Sequence, residues 1–564
     1  MNYLERYAFW CNAKLPADVQ AELQSIAKDT DELKSRFGSD LQFGTAGMRG
    51  IMGVGSNRLN RYTVRRAAQG MAAWLSGTDL PQEAAIAYDS RHNSKLFAEV
   101  CAVALAEAGI HAYLYDRLAP TPMLSFAVRE LGCGCGIVIS ASHNAGAYNG
   151  IKCYGPDGCQ MTDEPAAIVT DKISSIDYFI PETKSFESFL ADGTITYIEQ
   201  DLWEKYYRTV MAEAVDPNVI HRAGLNIVYT PLCGTGNEPV REILGRLGTN
   251  ISVVACQEKP DGDFKTCEYP NPETDAALNE SYKVARTAPC DVILGTDPDA
   301  DRVAIAVPTT DGFRKLSGNE LGCMLLDYIL KARAVRGDLP EGGEVIRSIV
   351  STAMADRIAK HYGIAMKPVL TGFKYIGGEI LALEEKGEQH KYIFGFEESC
   401  GYLKGTYARD KDAVVASMLV CEMTAALKEQ GKTILEALED LYKTHGYFLA
   451  HVQNIELTGA DAMEKAAKMM SDLRSNMPES IGGVTVTKVN DYKISLSKDL
   501  TTGNESRIDL PQSNVLEMII GENGSVIARP SGTEPKVKFY YSAVGATYKE
   551  AKNLLDAMVA QISK

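Results

Sequence analysis

The stretch Ile139-Ser-Ala-Ser-His-Asn-Ala-Gly-Ala-Tyr-Asn-Gly-Ile-Lys152 decides how the rest of the chain is read. An apolar run, Gly136-Ile-Val-Ile139, breaks abruptly into two serines, a histidine, two asparagines and several small residues before Lys152. The pattern predicts a buried strand ending in an exposed polar loop. Open α/β sheets place chemistry at such ends, because the loop reaches solvent while the strand beneath holds it rigid. Ser142 is therefore a candidate nucleophile. His143 is the obvious proton acceptor beside it, yet adjacent side chains on an extended loop diverge. His143 is thus assigned to positioning and electrostatics as readily as to base chemistry, with Lys152 an equal candidate.

Outward from this stretch, strands and helices alternate. Helices are expected near 64–75 and 95–108, and strands at 85–89 and 111–115, then a helix and the strand that leads to Ser142. Apolar runs at 226–230 and 291–295 bound a second such segment, and runs at 344–352 and 392–396 a third. Alternation of this kind implies layered α/β domains. The last hundred residues differ: a helix at 461–477, short β-like runs at 484–489, 515–520, 525–528 and 537–542, then a helix at 548–562, an α+β arrangement. Residues 1–40 read as charged helices packed on the first domain. The expected organisation is N-terminal helices and α/β domain I at 1–200, α/β domain II at 201–315, α/β domain III at 316–445 and an α+β domain IV at 446–564.

The 564 residues carry a formal net charge of -16, which argues against general nucleic-acid binding because phosphate neutralisation needs a basic surface. A local cationic pocket can still hold an anion. No apolar run approaches the ~18 residues of a membrane span, and the opening MNYLERYAFW places charge where a signal peptide is apolar. Thirteen cysteines without a framework fit reduced thiols. The expectation is a cytoplasmic protein, without nucleic-acid or membrane partners.

Four further stretches carry chemistry. Phe43-Gly-Thr-Ala-Gly-Met-Arg-Gly50 clusters backbone N–H groups around Arg49, which reads as a glycine-rich turn or an anion-binding loop. Gly295-Thr-Asp-Pro-Asp-Ala-Asp-Arg302 sets Asp297, Asp299 and Asp301 directly after a buried strand, and hard oxygen ligands so placed suit Mg²⁺. Three carboxylates leave an octahedral ion short of ligands, so water or a phosphate oxygen must complete it. Gly395-Phe-Glu-Glu-Ser-Cys-Gly-Tyr402 offers Glu397, Glu398 and Ser399, acceptors suited to vicinal sugar hydroxyls or to capping a neighbouring helix. Arg529-Pro-Ser-Gly-Thr-Glu-Pro-Lys536 offers a phosphate nest of Ser531, Gly532 and Thr533 with Arg529 as a bidentate clamp, or a plain turn.

Together these loops resemble, in order and separation, those of the α-D-phosphohexomutase superfamily over nearly the whole chain. Phe43–Gly50, Thr371-Gly-Phe-Lys374 and Arg409-Asp-Lys-Asp412 resemble its phosphoglucomutase branch, which includes phosphopentomutases and glucose-1,6-bisphosphate synthases. The resemblance implies a four-domain, heart-shaped molecule with one loop from each domain meeting in a central cleft. It implies that Ser142 carries a phosphate whose oxygen joins Asp297, Asp299 and Asp301 around Mg²⁺, with Arg49 and Lys152 at the transferring group. Arg302, Thr371, Gly372, Lys374, Glu397, Ser399, Arg409, Lys411, Arg529, Ser531, Gly532 and Thr533 would bind the substrate. The implied reaction interconverts glucose 1-phosphate and glucose 6-phosphate through glucose 1,6-bisphosphate, in a monomer or weak homo-oligomer. Phosphopentomutase, phosphomannomutase and bisphosphate synthase activities, or a non-catalytic sugar-phosphate sensor, are the alternatives. Cys400-Gly-Tyr402 stands where the bacterial phosphomannomutase/phosphoglucomutase branch has a histidine, which weakens the mannose assignment.

Overall fold

The computed structural model describes residues 1–44, 46–457, 462–531 and 536–562. Two compact units are present, the first comprising Met1–Leu321, Ile376–Gly395 and Ser399–Gln430, the second Gly322–Tyr375, Phe396–Glu398 and Gly431–Lys564.

The first unit contains two mixed sheets. Strands β1 (Gly47–Ile51), β2 (Glu83–Tyr88), β3 (His111–Tyr115), β4 (Cys135–Ile139), β5 (Tyr148–Tyr154) and β6 (Ile195–Ile198) form one, in the order β1-β5-β4-β2-β3-β6. Its interior strands β2 and β4 are buried almost throughout, as parallel strands covered on both faces must be. The helix Arg61–Leu75 covers one face; Asn60 caps it by accepting from the Tyr62 and Thr63 N–H groups, a contribution of about 1 kcal/mol. Close packing at Gly70, where a Cβ would lie 2.4 Å from Ile173, draws the helix Asp163–Ser174 against it. The second sheet contains β7 (Asn226–Thr230), β8 (Asn250–Val253), β9 (Val292–Thr296), β10 (Val303–Thr309) and β11 (Gly312–Lys315), ordered β11-β10-β9-β7-β8.

Both sheets switch from parallel to antiparallel at one point. β4 runs parallel to β2 but antiparallel to β5, and β9 runs parallel to β7 but antiparallel to β10. The serine loop and the aspartate loop are the two connections at these switches. Each is therefore held by ladder hydrogen bonds on both sides.

In the second unit β12 (Glu344–Ser348) and β13 (Ala365–Val369) pair in parallel. The strands β14 (Tyr392–Glu397), of which only Phe396 and Glu397 belong to this unit, and β15 (Gly401–Leu403), which belongs to the first, bracket the Glu397–Ser399 stretch. The C-terminal region is α+β, as expected. A small hairpin of β17 (Ser480–Ile481) and β18 (Val484–Thr485) stands apart from a seven-stranded sheet. That sheet contains β16 (Tyr447–Glu456), β19 (Lys488–Asp491), β20 (Leu496–Asp499), β21 (Glu505–Arg507), β22 (Leu516–Ile519), β23 (Gly524–Pro530) and β24 (Lys536–Gly545), in the order β16-β24-β23-β22-β19-β20-β21.

Two expectations change here. The run at 484–489 is two strands in different sheets, because the Val486 and Thr487 N–H groups turn to the Glu479 and Ile519 carbonyls. The long edge strand β16 had no clear sequence signal, since solvent on its outer side lets polar residues such as His451, Gln453 and Asn454 fill it. The helix Ala462–Ser475 matches the expected one, although Asp461 lies outside the described residues. Among the described residues, no helix is long and apolar enough to cross a membrane.

Candidate active site

Ser142 sits at φ +52, a left-handed conformation that L-residues adopt reluctantly, and is only 3% exposed. The loop is thus not extended at this residue, and the divergence expected of adjacent side chains does not occur. Ser142 Oγ lies 3.1 Å from His143 Nδ1 and donates to Asp297 Oδ2 at 2.8 Å. Burial, with Arg302 and Arg49 nearby, holds His143 well below the usual imidazole range, so it is neutral.

Asp297, Asp299 and Asp301 present carboxylate oxygens within 4.8 Å of one another, all buried. Ala300, between the last two, also has positive φ (+49), which turns the chain tightly enough for alternate carboxylates to face one point. The Asp301 and Arg302 N–H groups donate to Asp297 Oδ1 at 3.1 and 3.0 Å. Lys152 Nζ, on β5, contacts Asp299 Oδ2 at 2.6 Å and Asp301 Oδ2 at 3.3 Å, and Lys411 Nζ contacts Asp301 Oδ2 at 3.2 Å. Burial and the two neighbouring carboxylates push Asp297 well above the usual carboxyl range. Burial opposes charge on Asp299 and Asp301 as well, but Lys152 beside Asp299, and Lys411 and Lys152 beside Asp301, outweigh it and hold both below that range. Lys152, although buried, keeps its proton more firmly than usual because of the same two carboxylates.

Among the described residues, Asp299 Oδ1 and Asp301 Oδ1 are buried without a hydrogen-bond partner. Orphaned carboxylate oxygens beside a third buried carboxylate and a serine hydroxyl are the donor set of a hard divalent cation. The residues therefore fit a metal site.

The other expected residues divide between the two units. In the first, Arg49 on β1 reaches Asn144 Oδ1 at 3.4 Å, and Arg302 pairs with Glu273 at 2.6 Å. Cys400, next to Ser399, accepts from the Val303 N–H just past the aspartate loop. Arg409 is fully buried, its guanidinium donating to Glu384 at 2.5 Å and to the Thr406 carbonyl, a setting that ties together the interior of the unit. In the second unit, Glu397 Oε1 accepts from the Gly372 N–H at 2.7 Å, which joins the Thr371–Lys374 stretch to the carboxylate loop. Lys374 Nζ stands 5.2 Å over the Tyr375 ring. Ser348 Oγ donates to Glu398 at 3.0 Å. Tyr540 on β24 accepts a hydrogen bond from Arg529 and feels the charges of Glu398 and Glu397, so the carboxylate and phosphate stretches share one neighbourhood. Ser531 ends the described part of that loop; Gly532 and Thr533 lie outside the described residues.

Two residues escaped sequence reading. Thr121 Oγ1 donates to Asp299 Oδ2 at 2.9 Å, and its N–H donates to the Asp299 carbonyl at 2.9 Å. Arg91 packs beneath the serine loop. Neither lies in a recognisable motif; only an arginine or threonine at a strand end or helix start, where polar side chains are common, could have drawn notice.

Four consecutive models of the phosphoglucomutase/phosphomannomutase family match this chain: alpha/beta/alpha domain I at 40–179, domain II at 204–312, domain III at 317–445 and the C-terminal domain at 459–561. A phosphoglucomutase of Staphylococcus epidermidis is 35% identical over 527 residues, 92% of this chain and 94% of the relative. One of Staphylococcus aureus is 36% identical over 535 residues, 94% of each. The solved structure of pp63/parafusin, a phosphoglucomutase from Paramecium in its open form, shares the fold with a TM-score of 0.68 at 16% identity, over 93% of this chain and 94% of that one. With its four successive segments matched and its sheets arranged to bring a serine, three aspartates and a lysine together, the chain belongs to the phosphoglucomutase/phosphomannomutase family and is an enzyme of it.

Proposed function

We propose that the protein interconverts α-D-glucose 1-phosphate and D-glucose 6-phosphate through phosphorylated Ser142 and a glucose 1,6-bisphosphate intermediate. The observation that carries this reading is Ser142 Oγ at 2.8 Å from Asp297 within a buried triad in which Asp299 Oδ1 and Asp301 Oδ1 accept no hydrogen bond among the described residues. The relatives named phosphoglucomutase, aligned over more than nine-tenths of the chain, favour glucose as the sugar.

Mg²⁺ bound by Asp297, Asp299, Asp301 and an oxygen on Ser142 would neutralise charge on the transferring phosphoryl group. The residues of the chain do the rest. Lys152 adds a fixed positive charge beside Asp299 and Asp301, and Arg49 a guanidinium at the Asn144 end of the serine loop. His143 is the better proton acceptor on geometry, because its Nδ1 faces Ser142 Oγ whereas Lys152 Nζ is engaged by two carboxylates. Glu397 and Ser399 bridge sugar hydroxyls in either orientation of the intermediate. Arg529, Ser531, Gly532 and Thr533 hold the phosphate that is not reacting; Arg302 and Lys411 in the first unit and Thr371, Gly372 and Lys374 in the second are further substrate-binding residues, whereas Arg409, buried against Glu384, supports the interior of the first unit instead. The same reading divides the chain near 200, 315 and 445, supported by family matches that end at 179, 312 and 445 and resume at 204, 317 and 459. All thirteen cysteines are free thiols, in keeping with a reducing, cytoplasmic compartment.

Ser142→Ala should abolish the interconversion in a coupled assay, and intact mass should show one phosphate on the wild-type chain after incubation with glucose 1,6-bisphosphate. Turnover at the wild-type rate in the variant would refute the reading. Comparing kcat/KM for glucose 1-phosphate and ribose 1-phosphate separates it from a phosphopentomutase.

A further inference from the structure

We propose that Arg91 is a positioning residue for Ser142: its buried guanidinium fixes the backbone of residues 142–148 so that Ser142 Oγ faces Asp297. The inference rests on the proposed role of Ser142 as phosphate carrier. Arg91 lies three residues past the end of β2 and is 3% exposed. Its Nη2 donates to the Ser142 carbonyl at 2.6 Å and to the Asn144 carbonyl, and its Nη1 donates to the Ala145 and Tyr148 carbonyls at 2.9 and 3.0 Å. Four carbonyls of one loop thus converge on one side chain.

The clamp is itself held. Asp89 Oδ2 lies 3.3 Å from Arg91 Nε, while Asp89 Oδ1 accepts from the Arg91 N–H at 2.9 Å and from Ser94 Oγ at 2.7 Å. The Phe264 ring, 4.9 Å from the guanidinium carbon, closes another side. Ser142 needs such a clamp because φ +52 is disfavoured for serine and persists only where its surroundings over-determine it. Its own carbonyl is among the bonded groups. A guanidinium serves carbonyls in several directions with donors in a rigid fork, which the compact ammonium of lysine cannot copy. Arg91 reaches only backbone carbonyls of this loop, so its effect is on where the nucleophile stands.

The test uses the full chain with Mg²⁺ and glucose 1,6-bisphosphate, comparing wild type, Arg91→Lys and Asp89→Asn. The measurements are kcat and KM for glucose 1-phosphate, the rate and final stoichiometry of Ser142 phosphorylation by intact mass, and hydrogen exchange across 141–149. We expect kcat to fall about 100-fold in Arg91→Lys and about tenfold in Asp89→Asn, the scale of a nucleophile displaced by about 1 Å. KM should stay within about threefold of wild type. Phosphorylation should slow yet reach the wild-type stoichiometry, with faster exchange in that segment. A kcat within about threefold of wild type overturns the proposal. So does a stoichiometry that falls in parallel with kcat, which would mark a loss of folded enzyme. If Arg91→Lys does not fold, Asp89→Asn decides by the same readings. Loss of the Ser142 role itself would show separately, as retained turnover in Ser142→Ala.

Discussion

Thr121 bears on the aspartate triad through one hydroxyl and one N–H, both directed at Asp299. Groups that orient a metal-binding carboxylate commonly change affinity 10–100-fold when removed. Thr121→Val should therefore weaken Mg²⁺ binding by about tenfold or more in isothermal titration of the metal-free chain. Unchanged affinity would show that Asp299 needs no such support. Gly234 exerts control by lacking a side chain: a Cβ there would lie 2.4 Å from Pro298 Cα and 2.6 Å from its carbonyl oxygen, backbone that cannot move aside cheaply. Gly234→Ala should cost about 1–3 kcal/mol of stability and displace the aspartate loop, visible as a lower melting temperature together with a fall in kcat. The motif at 295–302 was legible because its ligands are contiguous. The residues that orient it were not, since Thr121 and Gly234 reach it only through folding.

At the scale of elements, three of the functional stretches are connections between antiparallel neighbours: β4 to β5, β9 to β10 and β23 to β24. Sequence reading placed the first two at strand ends, which holds, but a strand end in a doubly wound sheet leads into a helix. Here each leads back along the same sheet, and both flanks of the loop are anchored. The helix Ala413–Glu429 shows what a buried element can demand. Its Glu422 accepts from the Val215 and Asp216 N–H groups at 2.9 and 3.2 Å, and burial raises its pKa from 4.5 to about 7. The sign follows from proton uptake. Below about pH 4.5 folded and unfolded chains both hold the proton; between there and pH 7 only the unfolded chain releases it. Stability is thus lost as pH rises through that window, on the order of 3 kcal/mol. Denaturant titrations at pH 5 and pH 8 should show a smaller drop in Glu422→Gln than in wild type, and equal drops would remove Glu422 as the cause.

For the whole molecule, every residue of the proposed serine and metal centre, including Lys152 and Lys411, belongs to the first unit, while Glu397, Lys374 and Arg529 belong to the second. Mg²⁺ at about 100 times its Kd stabilises the form that binds it by about 2.7 kcal/mol. Hydrogen exchange should therefore slow in 135–154 and 292–309 and stay unchanged in 480–530. Equal protection in both units would place a second ion elsewhere.

The alternation of strands and helices, the α+β character of the C-terminal region and the contiguous stretches on which the family resemblance rests were all legible in the sequence. These are local properties: periodicity, chain breakers and contiguous polar residues survive without knowledge of neighbours. The divergence expected of the Ser142 and His143 side chains does not occur, because the left-handed turn at Ser142 depends on Arg91, 51 residues earlier. Only tertiary structure could decide that turn, the pairing of Lys152 with Asp299 and Asp301, and the burial of Arg409 against Glu384. Each requires groups far apart in the chain to meet in a low-dielectric interior. There an unpaired charge or carbonyl is costly enough to dictate conformation.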